Sequence, residues 1–370
     1  MNVIWFSGRQ INDLCATTQK SLAAGLIKKG HNVIFVNPDI QGTHVEYPWD
    51  HHGLPTNAIP GFKSMAISRK MVNWLKHHDM MKETVAILDW RVAGKLAPVL
   101  DRVNVPWILM DRSPPADSNI LSRLQWYFWK RSWRLVKQHP NGVGCVVSSA
   151  HKEFVAQKIG LLDDKMVVIP AGVDTQVFHS GEKTDQLQLG YHGKIDDNRN
   201  IKQIIEIHSR LNKLGLEVNL HLHGTGNAVK ELSRIDSDRF SITQPLDTIT
   251  LSAKLSSYDI GFLPMTDQKV WRLASPLKRA EYLASGMIVV GIDHTGHRID
   301  GSGEWLRLCE EANFIDEAVE YIASLDVAKL RELQNQARLF AESNLDWSTT
   351  VERLSSLILR QSSVSTVNST

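Results

Sequence analysis

Residues 258–292 read YDIGFLPMTDQKVWRLASPLKRAEYLASGMIVVGI, and this stretch decides the fold. Its apolar runs at 258–263 and 287–292 predict two buried strands. The residues between them predict a helix over 276–285, because Pro276 suits the first turn of a helix. A helix that joins two continuous apolar strands is typical of a parallel sheet whose faces are both covered.

The same alternation of strands and helices extends along the rest of the chain. Strand-like apolar runs occur at 2–7, 32–37, 84–89, 105–110, 143–148, 187–191 and 218–222. Helical patterns lie between them, among them 17–29, 199–214 and 247–257. The predicted fold class is therefore α/β, with doubly wound parallel sheets.

The length of 370 residues is too great for one ordinary core, so we predict two domains. Turn-forming residues at 169–174 mark the connection between them. We predict two Rossmann-like domains that face a cleft, one over 1–168 and the other over 169–345. A last helix at 346–361 is expected to pack back toward the first domain, and the tail 362–370 to be disordered.

Composition excludes several classes of function. The chain has 42 basic and 40 acidic residues, and a net charge of +2 argues against nucleic acid as a partner. Cys15, Cys145 and Cys309 lie far apart, so neither a disulfide framework nor a zinc site is expected. No signal-peptide pattern and no apolar run of membrane-spanning length is present, which predicts a cytoplasmic protein.

Glycines and cations that follow strands are candidate binding residues, because ligands of such sheets bind outside the carboxyl ends of the strands. Gly193 and Lys194 end one strand, and Arg199 lies at the start of the next helix. Two cations near a helix N-terminus suit a diphosphate, and the alternative is two solvated charges in a loop. Gly224 and Gly8 each follow a strand, where glycine allows close approach of a ligand. The alternative for Gly8 is a plain strand-to-helix turn.

The start of the helix at 276–285 offers a second anion-binding element. Ser275 is predicted as its N-cap, which leaves backbone N–H groups after Pro276, at Leu277 and Lys278, available to phosphate oxygens. Glu281 lies further along the helix and can present its carboxylate to a ribose diol. These residues form a predicted binding turn for a nucleotide.

These motifs, in this order, resemble those of GT-B-fold glycosyltransferases, in particular the large retaining family four. The resemblance is carried by residues 146–149, 168–174, 190–194 and 258–286. It implies a nucleoside diphosphate sugar as the donor substrate, retention of the anomeric configuration, and no cofactor or metal. It also implies that 1–168 is the acceptor-side domain and 169–345 the donor-binding domain.

The resemblance also implies roles for single residues. Lys194 and Arg199 are expected to hold the donor diphosphate and so to assist catalysis, while Glu281 is expected to contact the ribose. Leu273 stands where the family has the first glutamate of its Glu-x7-Glu pattern. This departure leaves the contact with the donor sugar unassigned.

The acceptor side offers fewer candidates. Asp111 follows the strand at 105–110, and similar enzymes have a polar residue near the acceptor hydroxyl in this region. We predict that Asp111 accepts a hydrogen bond from that hydroxyl, and the alternative is an Asp that caps the following loop. His51 and His52 are interpreted as a solvated pair in a loop, and the alternative is contact with the acceptor.

The helix predicted at 119–138 combines basic and aromatic residues. A basic stripe on it is flanked by tryptophans; the stripe consists of Arg123, Lys130, Arg134 and Lys137, and the tryptophans are Trp126, Trp129 and Trp133. This pattern suits peripheral contact with an anionic membrane. The alternative is a surface helix whose tryptophans pack on neighbouring segments.

The function predicted from these observations is transfer of a sugar to a hydroxyl group of a glycan or a lipid-linked acceptor. Two alternatives remain open. One is a sugar-nucleotide epimerase of the same fold, and the other is a non-catalytic protein that binds nucleotide sugars. An NAD-dependent oxidoreductase is disfavoured, because G-x-G-x-x-G is absent after the first strand.

Overall fold

A computed structural model describes residues 1–12, 16–39, 46–59, 62–79, 81–115 and 120–367. The chain divides into two compact units. Unit 1 comprises residues 1–170 and 347–370, and unit 2 comprises residues 171–346. Each unit is built on one parallel sheet.

The described residues of unit 1 form seven strands in the order β3-β2-β1-β4-β5-β6-β7, all parallel. The strands are β1 (Asn2–Phe6), β2 (Asn32–Asn37), β3 (Asp50–Gly53), β4 (Thr84–Asp89), β5 (Trp107–Met110), β6 (Val143–Val146) and β7 (Met166–Val168). Its helices are α1 (Thr17–Lys28), α2 (Lys63–His77), α3 (Trp90–Arg102), α4 (Ile120–Gln138), α5 (Ser149–Ile159) and the last helix of the chain, α13 (Trp347–Val367). His51 and His52 thus belong to an edge strand, and their interpretation as loop residues is wrong.

The sheet of unit 1 is buried on both faces, which explains the continuous apolar runs of its strands. In β1, Ile4 and Phe6 belong to a core that includes residues of α2, α3 and α4. Val3 and Trp5 belong to the opposite core, which includes residues of α1 and α13. Successive side chains of a strand therefore pack into two different cores, one on each face of the sheet.

Helix α13 runs to Val367, so the prediction of a disordered tail is wrong for residues 362–367, and residues 368–370 lie outside the described part of the chain. Its buried stripe includes Val351, Leu354 and Ile358 and continues to Gln361, which is 7% exposed. The stripe packs against the core of unit 1 as far as Ile358, and the helix continues past the predicted end at residue 361.

Unit 2 contains six parallel strands in the order β10-β9-β8-β11-β12-β13. The strands are β8 (Leu187–Lys194), β9 (Val218–Thr225), β10 (Phe240–Thr243), β11 (Ile260–Leu263), β12 (Ile288–Ile292) and β13 (Leu306–Cys309). Its helices are α6 (Ile201–Lys213), α7 (Val229–Leu232), α8 (Thr248–Leu255), α9 (Lys269–Arg272), α10 (Leu277–Ala284), α11 (Phe314–Ser324) and α12 (Val327–Asn344). One hydrophobic core joins these elements. The predicted fold class, two doubly wound parallel sheets with flanking helices, is confirmed.

Candidate functional site

Two glycines lie side by side where β8 and β9 end. Gly193 is paired with Gly224 in the register of the two strands. Gly193 has a φ of +118°, which favours glycine, and a Cβ on Gly224 would lie 1.8 Å from the carbonyl oxygen of Gly193. The space at Gly224 is thus filled by the neighbouring strand. Chain packing therefore explains the glycine at position 224. The predicted approach of a ligand is not needed to explain it.

Lys278, in the first turn of α10, reaches the end of β8. Its Nζ donates a hydrogen bond of 3.2 Å to the hydroxyl of Tyr191 and lies 4.2 Å from the centre of that ring. A Cβ on Gly193 would lie 3.1 Å from the same Nζ. Glycine at position 193 therefore leaves room for the Lys278 ammonium group at the carboxyl end of the sheet.

The start of α10 differs from the prediction by one residue. The N-cap is Pro276, and the hydroxyl oxygen of Ser275 accepts a hydrogen bond of 3.1 Å from the N–H of Ala171. The assignment of Ser275 as the N-cap is therefore wrong, because its side chain holds the segment that enters unit 2. Within the described part of the chain, the N–H groups of Leu277 and Lys278 donate to no protein acceptor. Open donors at a helix N-terminus suit an anion.

Glu281 is paired with a residue that the sequence did not single out. Its Oε2 lies 3.0 Å from Nε2 of His192, and both side chains are about one-sixth exposed. The ring of His192 packs edge-on against Tyr282, and the backbone N–H of His192 donates to the Tyr282 hydroxyl at 3.1 Å. Strand β8 and helix α10 thus bring the carboxylate next to the imidazole, with no hydrogen bond between them among the described contacts. The only signal for His192 in the sequence was its position beside Gly193.

Arg199 stacks on a tryptophan. Its guanidinium carbon lies 4.0 Å from the ring centre of Trp271, in the short helix α9. Arg199 ends a 3-10 turn, Asp197–Arg199, that precedes α6. The stack positions the guanidinium without neutralising its charge. Lys194, in contrast, is exposed at the end of β8.

Several buried polar atoms in this part of unit 2 have no hydrogen-bond partner among the described residues. They include Nε of Arg199, Oγ1 of Thr266, Nε1 of Trp271, Nε2 of His294 and of His297, and the two facing atoms of the Glu281–His192 contact, Oε2 and Nε2. Buried polar groups are nearly always paired in folded proteins, and exceptions commonly mark places filled by water or a ligand. Their concentration near α9 and the end of β12 is what a ligand site predicts.

His297 lies in the turn that follows β12, a second feature that sequence reasoning missed. Its Nδ1 lies 2.7 Å from the carbonyl oxygen of Ile292, which assigns the proton to Nδ1 and leaves Nε2 as an acceptor. Burial holds the pKa of His297 well below its usual value, so the ring is neutral. The same turn contacts α9, because Thr295 donates to the carbonyl of Arg272 at 2.9 Å. Leu273, which follows Arg272 in the chain, has an apolar side chain that is 7% exposed.

Asp111 in unit 1 is wholly buried. Its Oδ2 accepts hydrogen bonds from the indoles of Trp129 at 2.5 Å and Trp133 at 2.9 Å, and Nε2 of His151 lies 3.3 Å away. Burial favours a raised pKa for Asp111, but the charge of His151 and these donors outweigh it and lower the pKa. Oδ1 accepts from the N–H of Ser113 at 3.1 Å. The structure contradicts contact with an acceptor hydroxyl and supports the capping alternative.

Helix α4 turns its tryptophans inward. Trp129 and Trp133 are 0% exposed, and Trp126 packs against the same core. The predicted membrane contact through these tryptophans is therefore wrong, because the indole donors and ring faces complete the core around Asp111. The basic stripe, Arg123, Lys130, Arg134 and Lys137, is exposed. Residue 119 of the predicted helix lies outside the described residues.

Gly8 lies after β1 in unit 1. A Cβ at this position would lie 3.1 Å from Cβ of Arg91, so the glycine allows the turn to pack on α3. Its contact with a donor stays a prediction. Within the described ranges, no group of three or more His, Cys, Asp or Glu side chains is arranged to hold a metal ion. No described helix is both long enough and apolar enough to cross a bilayer.

No family model and no curated protein matches the sequence. Solved structures match over nearly the whole chain. The sucrose-phosphate synthase of Thermosynechococcus elongatus is 15% identical with a TM-score of 0.76, and the match covers 98% of this chain and 99% of that one. A glycosyltransferase of Rickettsia africae is 10% identical with a TM-score of 0.73, over 97% and 98% of the two chains.

Anabaena HepE, whose structure holds UDP-glucose, is 13% identical with a TM-score of 0.67, over 97% of this chain and 100% of that one. These proteins are GT-B glycosyltransferases. At this level of identity the likeness establishes the fold. The chain has the GT-B fold that its motifs predict.

Proposed function

We propose that this protein is a glycosyltransferase that moves a sugar from a nucleoside diphosphate sugar to a hydroxyl of a glycan or a lipid-linked acceptor. One observation carries the proposal. Cations, open N–H groups and an oriented carboxylate are all positioned from the carboxyl ends of the strands of unit 2. They are contributed by Lys278, Arg199, the start of α10, and the Glu281–His192 pair.

Each group suits one part of the donor. Lys278, Arg199 and Lys194 supply positive charge for a diphosphate, and the N–H groups of Leu277 and Lys278 add hydrogen bonds to its oxygens. Glu281 accepts hydrogen bonds from the ribose hydroxyls. His297 Nε2 is an acceptor without a partner among the described residues, and a sugar hydroxyl is a matching donor.

In the proposed reaction the bond between the anomeric carbon and the diphosphate oxygen breaks, and the same carbon forms a bond to the acceptor oxygen. The leaving phosphate carries the bonding electron pair and takes the proton of the acceptor hydroxyl. The cations stabilise the charge that develops on the leaving group, so no metal is required in this proposal. Retention of configuration follows from the family resemblance.

A thermal-unfolding series with UDP, GDP, ADP and their sugars tests donor binding. UDP-glucose comes first, because the Anabaena HepE structure holds it. A ligand at about 100 times its Kd adds about 2.7 kcal/mol to the free energy of unfolding. Lys278→Gln combined with Arg199→Gln should abolish the stabilisation, while the exposed Lys230→Gln should keep it. If the double variant is stabilised like the wild type, the phosphate assignment is wrong.

Leu273 favours one competing function, a non-catalytic binder of nucleotide sugars, because its buried apolar side chain offers the donor sugar no polar contact. Product analysis separates the candidates. Release of nucleoside diphosphate together with a glycosylated acceptor supports transfer. A changed sugar nucleotide with donor alone indicates an epimerase. Binding without turnover of any donor, across an acceptor panel, would favour the binder.

A further inference from the structure

A pocket of about 640 Å³ lies between α2 and the residue that follows β3. Leu54 lines one side, and the rest of the lining comes from the middle and end of α2 and from His78, which follows the helix. Trp74 in this lining contacts Phe6, the last residue of β1, and His52 in β3. The pocket therefore lies near the carboxyl ends of strands of unit 1, where sheets of this kind bind ligands.

The pocket has a flat aromatic surface. The rings of Trp74 and His78 stack with their centres 4.2 Å apart and with 17° between their planes. The ring of Phe6 meets the Trp74 indole edge-on at 5.8 Å, so the core of unit 1 holds the indole in place. The indole N–H of Trp74 has no acceptor within the described part of the chain. A flat face beside an open donor suits a sugar ring, which has C–H groups on its faces and hydroxyls at its edge.

Cations and an amide lie beside this aromatic surface. Arg69, Lys70, Asn73 and His77 line the same pocket, and all four side chains are exposed. Arg69 has no ion-pair partner within the described ranges, and Lys70 donates only to the carbonyl of Pro55. No carboxylate belongs to the lining that the structure describes. A ligand that matches this lining carries a negative charge.

Stabilisation of α2 does not account for these cations. Basic residues stabilise a helix when they lie in its last turn, where they face the negative end of the helix dipole. Lys76 and His77 lie in the last turn of α2, whereas Arg69 and Lys70 lie about two turns before its end. Helix α2 contains no Asp or Glu, so no pair within the helix neutralises them. Both cations are therefore available to a ligand.

We propose that this pocket binds an anionic saccharide, a sugar ring that carries a phosphate or a carboxylate. The ring packs on the stacked rings of Trp74 and His78, Asn73 bonds to its hydroxyls, and the anion binds at Arg69 and Lys70. The volume of the pocket lies within the range of small-molecule sites, roughly 300–1,000 Å³. This binding is independent of whether the chain transfers sugars. Use of the bound saccharide as the acceptor rests on the proposed function.

Titration calorimetry of the full chain without donor tests the site. Glucose 6-phosphate and glucuronate are expected to bind, and glucose about tenfold more weakly, because hydrogen bonds to charged groups are the stronger ones. Arg69→Gln with Lys70→Gln should remove this preference for anionic sugars. Lys28→Gln with Arg102→Gln removes an exposed lysine and an exposed arginine elsewhere in unit 1 and should keep it. Unchanged melting by circular dichroism shows that the variants fold.

Further arms separate a saccharide site from other anion sites. Trp74→Leu should weaken binding of both anionic sugars severalfold, because the stacking surface is lost. Inorganic phosphate should bind more weakly than glucose 6-phosphate. The proposal is overturned if neither anionic sugar binds, if glucose or inorganic phosphate binds as tightly as glucose 6-phosphate, or if the double variant at Arg69 and Lys70 binds like the wild type. UMP binding that this double variant weakens would assign a nucleotide to the pocket and overturn it as well.

The acceptor role has a separate readout. With an anionic acceptor that the wild type glycosylates, Arg69→Gln with Lys70→Gln should raise KM for the acceptor about tenfold and leave kcat nearly unchanged, because the anion contact is made equally in the ground state and the transition state. An unchanged KM would show that the acceptor binds elsewhere. If the chain turns over no donor, the proposed function fails while calorimetry still decides whether the pocket binds anionic saccharides.

Discussion

The carboxylate of Glu281 and the imidazole of His192 lie 3.0 Å apart, joining the second turn of α10 to the end of β8. The two residues are 89 positions apart in the chain, but parallel pairing of β8, β11 and β12 brings their elements together. This contact fixes which strand end the carboxylate faces, and the proposed ribose contact depends on that carboxylate.

We expect Glu281→Ala to weaken nucleotide binding about tenfold or more, because a hydrogen bond to a charged group contributes about 1.5–3 kcal/mol. Titration calorimetry with the best nucleoside diphosphate measures the loss. The wild type should discriminate against the 2′,3′-dideoxy analogue, and Glu281→Ala should not. The exposed Glu320→Gln serves as a control and should bind normally. Equal discrimination in wild type and variant would place the ribose elsewhere.

Trp271→Leu should weaken nucleotide binding even though Arg199 is retained. The indole face positions the guanidinium, and a cation–π contact contributes about 0.5–2 kcal/mol. Affinity at increasing salt concentration distinguishes this effect from loss of charge. Trp271→Leu should keep the salt dependence of the wild type, whereas Arg199→Gln should reduce it. A Trp271→Leu variant with wild-type affinity would show that the stack has no role in binding.

Asp111→Asn should lower the free energy of unfolding by about 1.5–3 kcal/mol at neutral pH, because the buried carboxylate accepts charge-assisted hydrogen bonds from the indoles of Trp129 and Trp133. The folded pKa of Asp111 lies below its usual value of 3.8. Its contribution is therefore complete above that value and is lost as pH falls through the folded pKa. The difference between wild type and variant in urea unfolding should shrink in that window.

The surface pair Arg210–Asp316 gives the comparison for Asp111. Its Asp316 carboxylate is 72% exposed, so Asp316→Asn should cost no more than about 1 kcal/mol. If Asp111→Asn is equally mild, the buried network around His151 does not stabilise unit 1.

The stability of unit 2 should begin to fall at a pH near 6.5, which is above the pH range in which carboxylates usually titrate. Burial, aided by nearby His221, lowers the pKa of His223 to about 4 from its usual 6.5. The unfolded chain therefore binds a proton below pH 6.5 that the folded chain binds only near pH 4, and stability falls across that interval. Each such histidine contributes up to about 1.4 kcal/mol per pH unit.

His223→Gln should reduce this dependence of the unfolding free energy on pH, measured by urea unfolding between pH 6.5 and about 4. Because His223 bonds to Thr243 and Tyr258, the variant is also expected to be less stable at neutral pH. His179→Gln, at an exposed position, should leave the pH dependence unchanged. If the unfolding free energy of His223→Gln varies with pH as steeply as that of the wild type, the other buried histidines cause the pH dependence.

The local sequence pattern is sufficient to predict the two sheets and some of the candidate site residues. Continuous apolar runs identify strands covered on both faces, and the segment 258–292 specifies a strand, a helix and a strand with little ambiguity. The same local rules place Lys194, Arg199 and Glu281 after strands or on the adjoining helix. Ser275 and the tail 362–367 were misassigned because both depend on contacts made elsewhere in the chain.

The sequence by itself determined the two parallel sheets, since the period of apolar residues reports which faces must be buried. Only the tertiary structure decided what covers each face. Trp129 and Trp133 have the spacing of a membrane contact, yet they donate to Asp111 inside the core. His192 is a candidate site residue because it lies next to Glu281, and His297 is one because its turn contacts α9. Periodicity orients a side chain, but its partner depends on how distant segments pack.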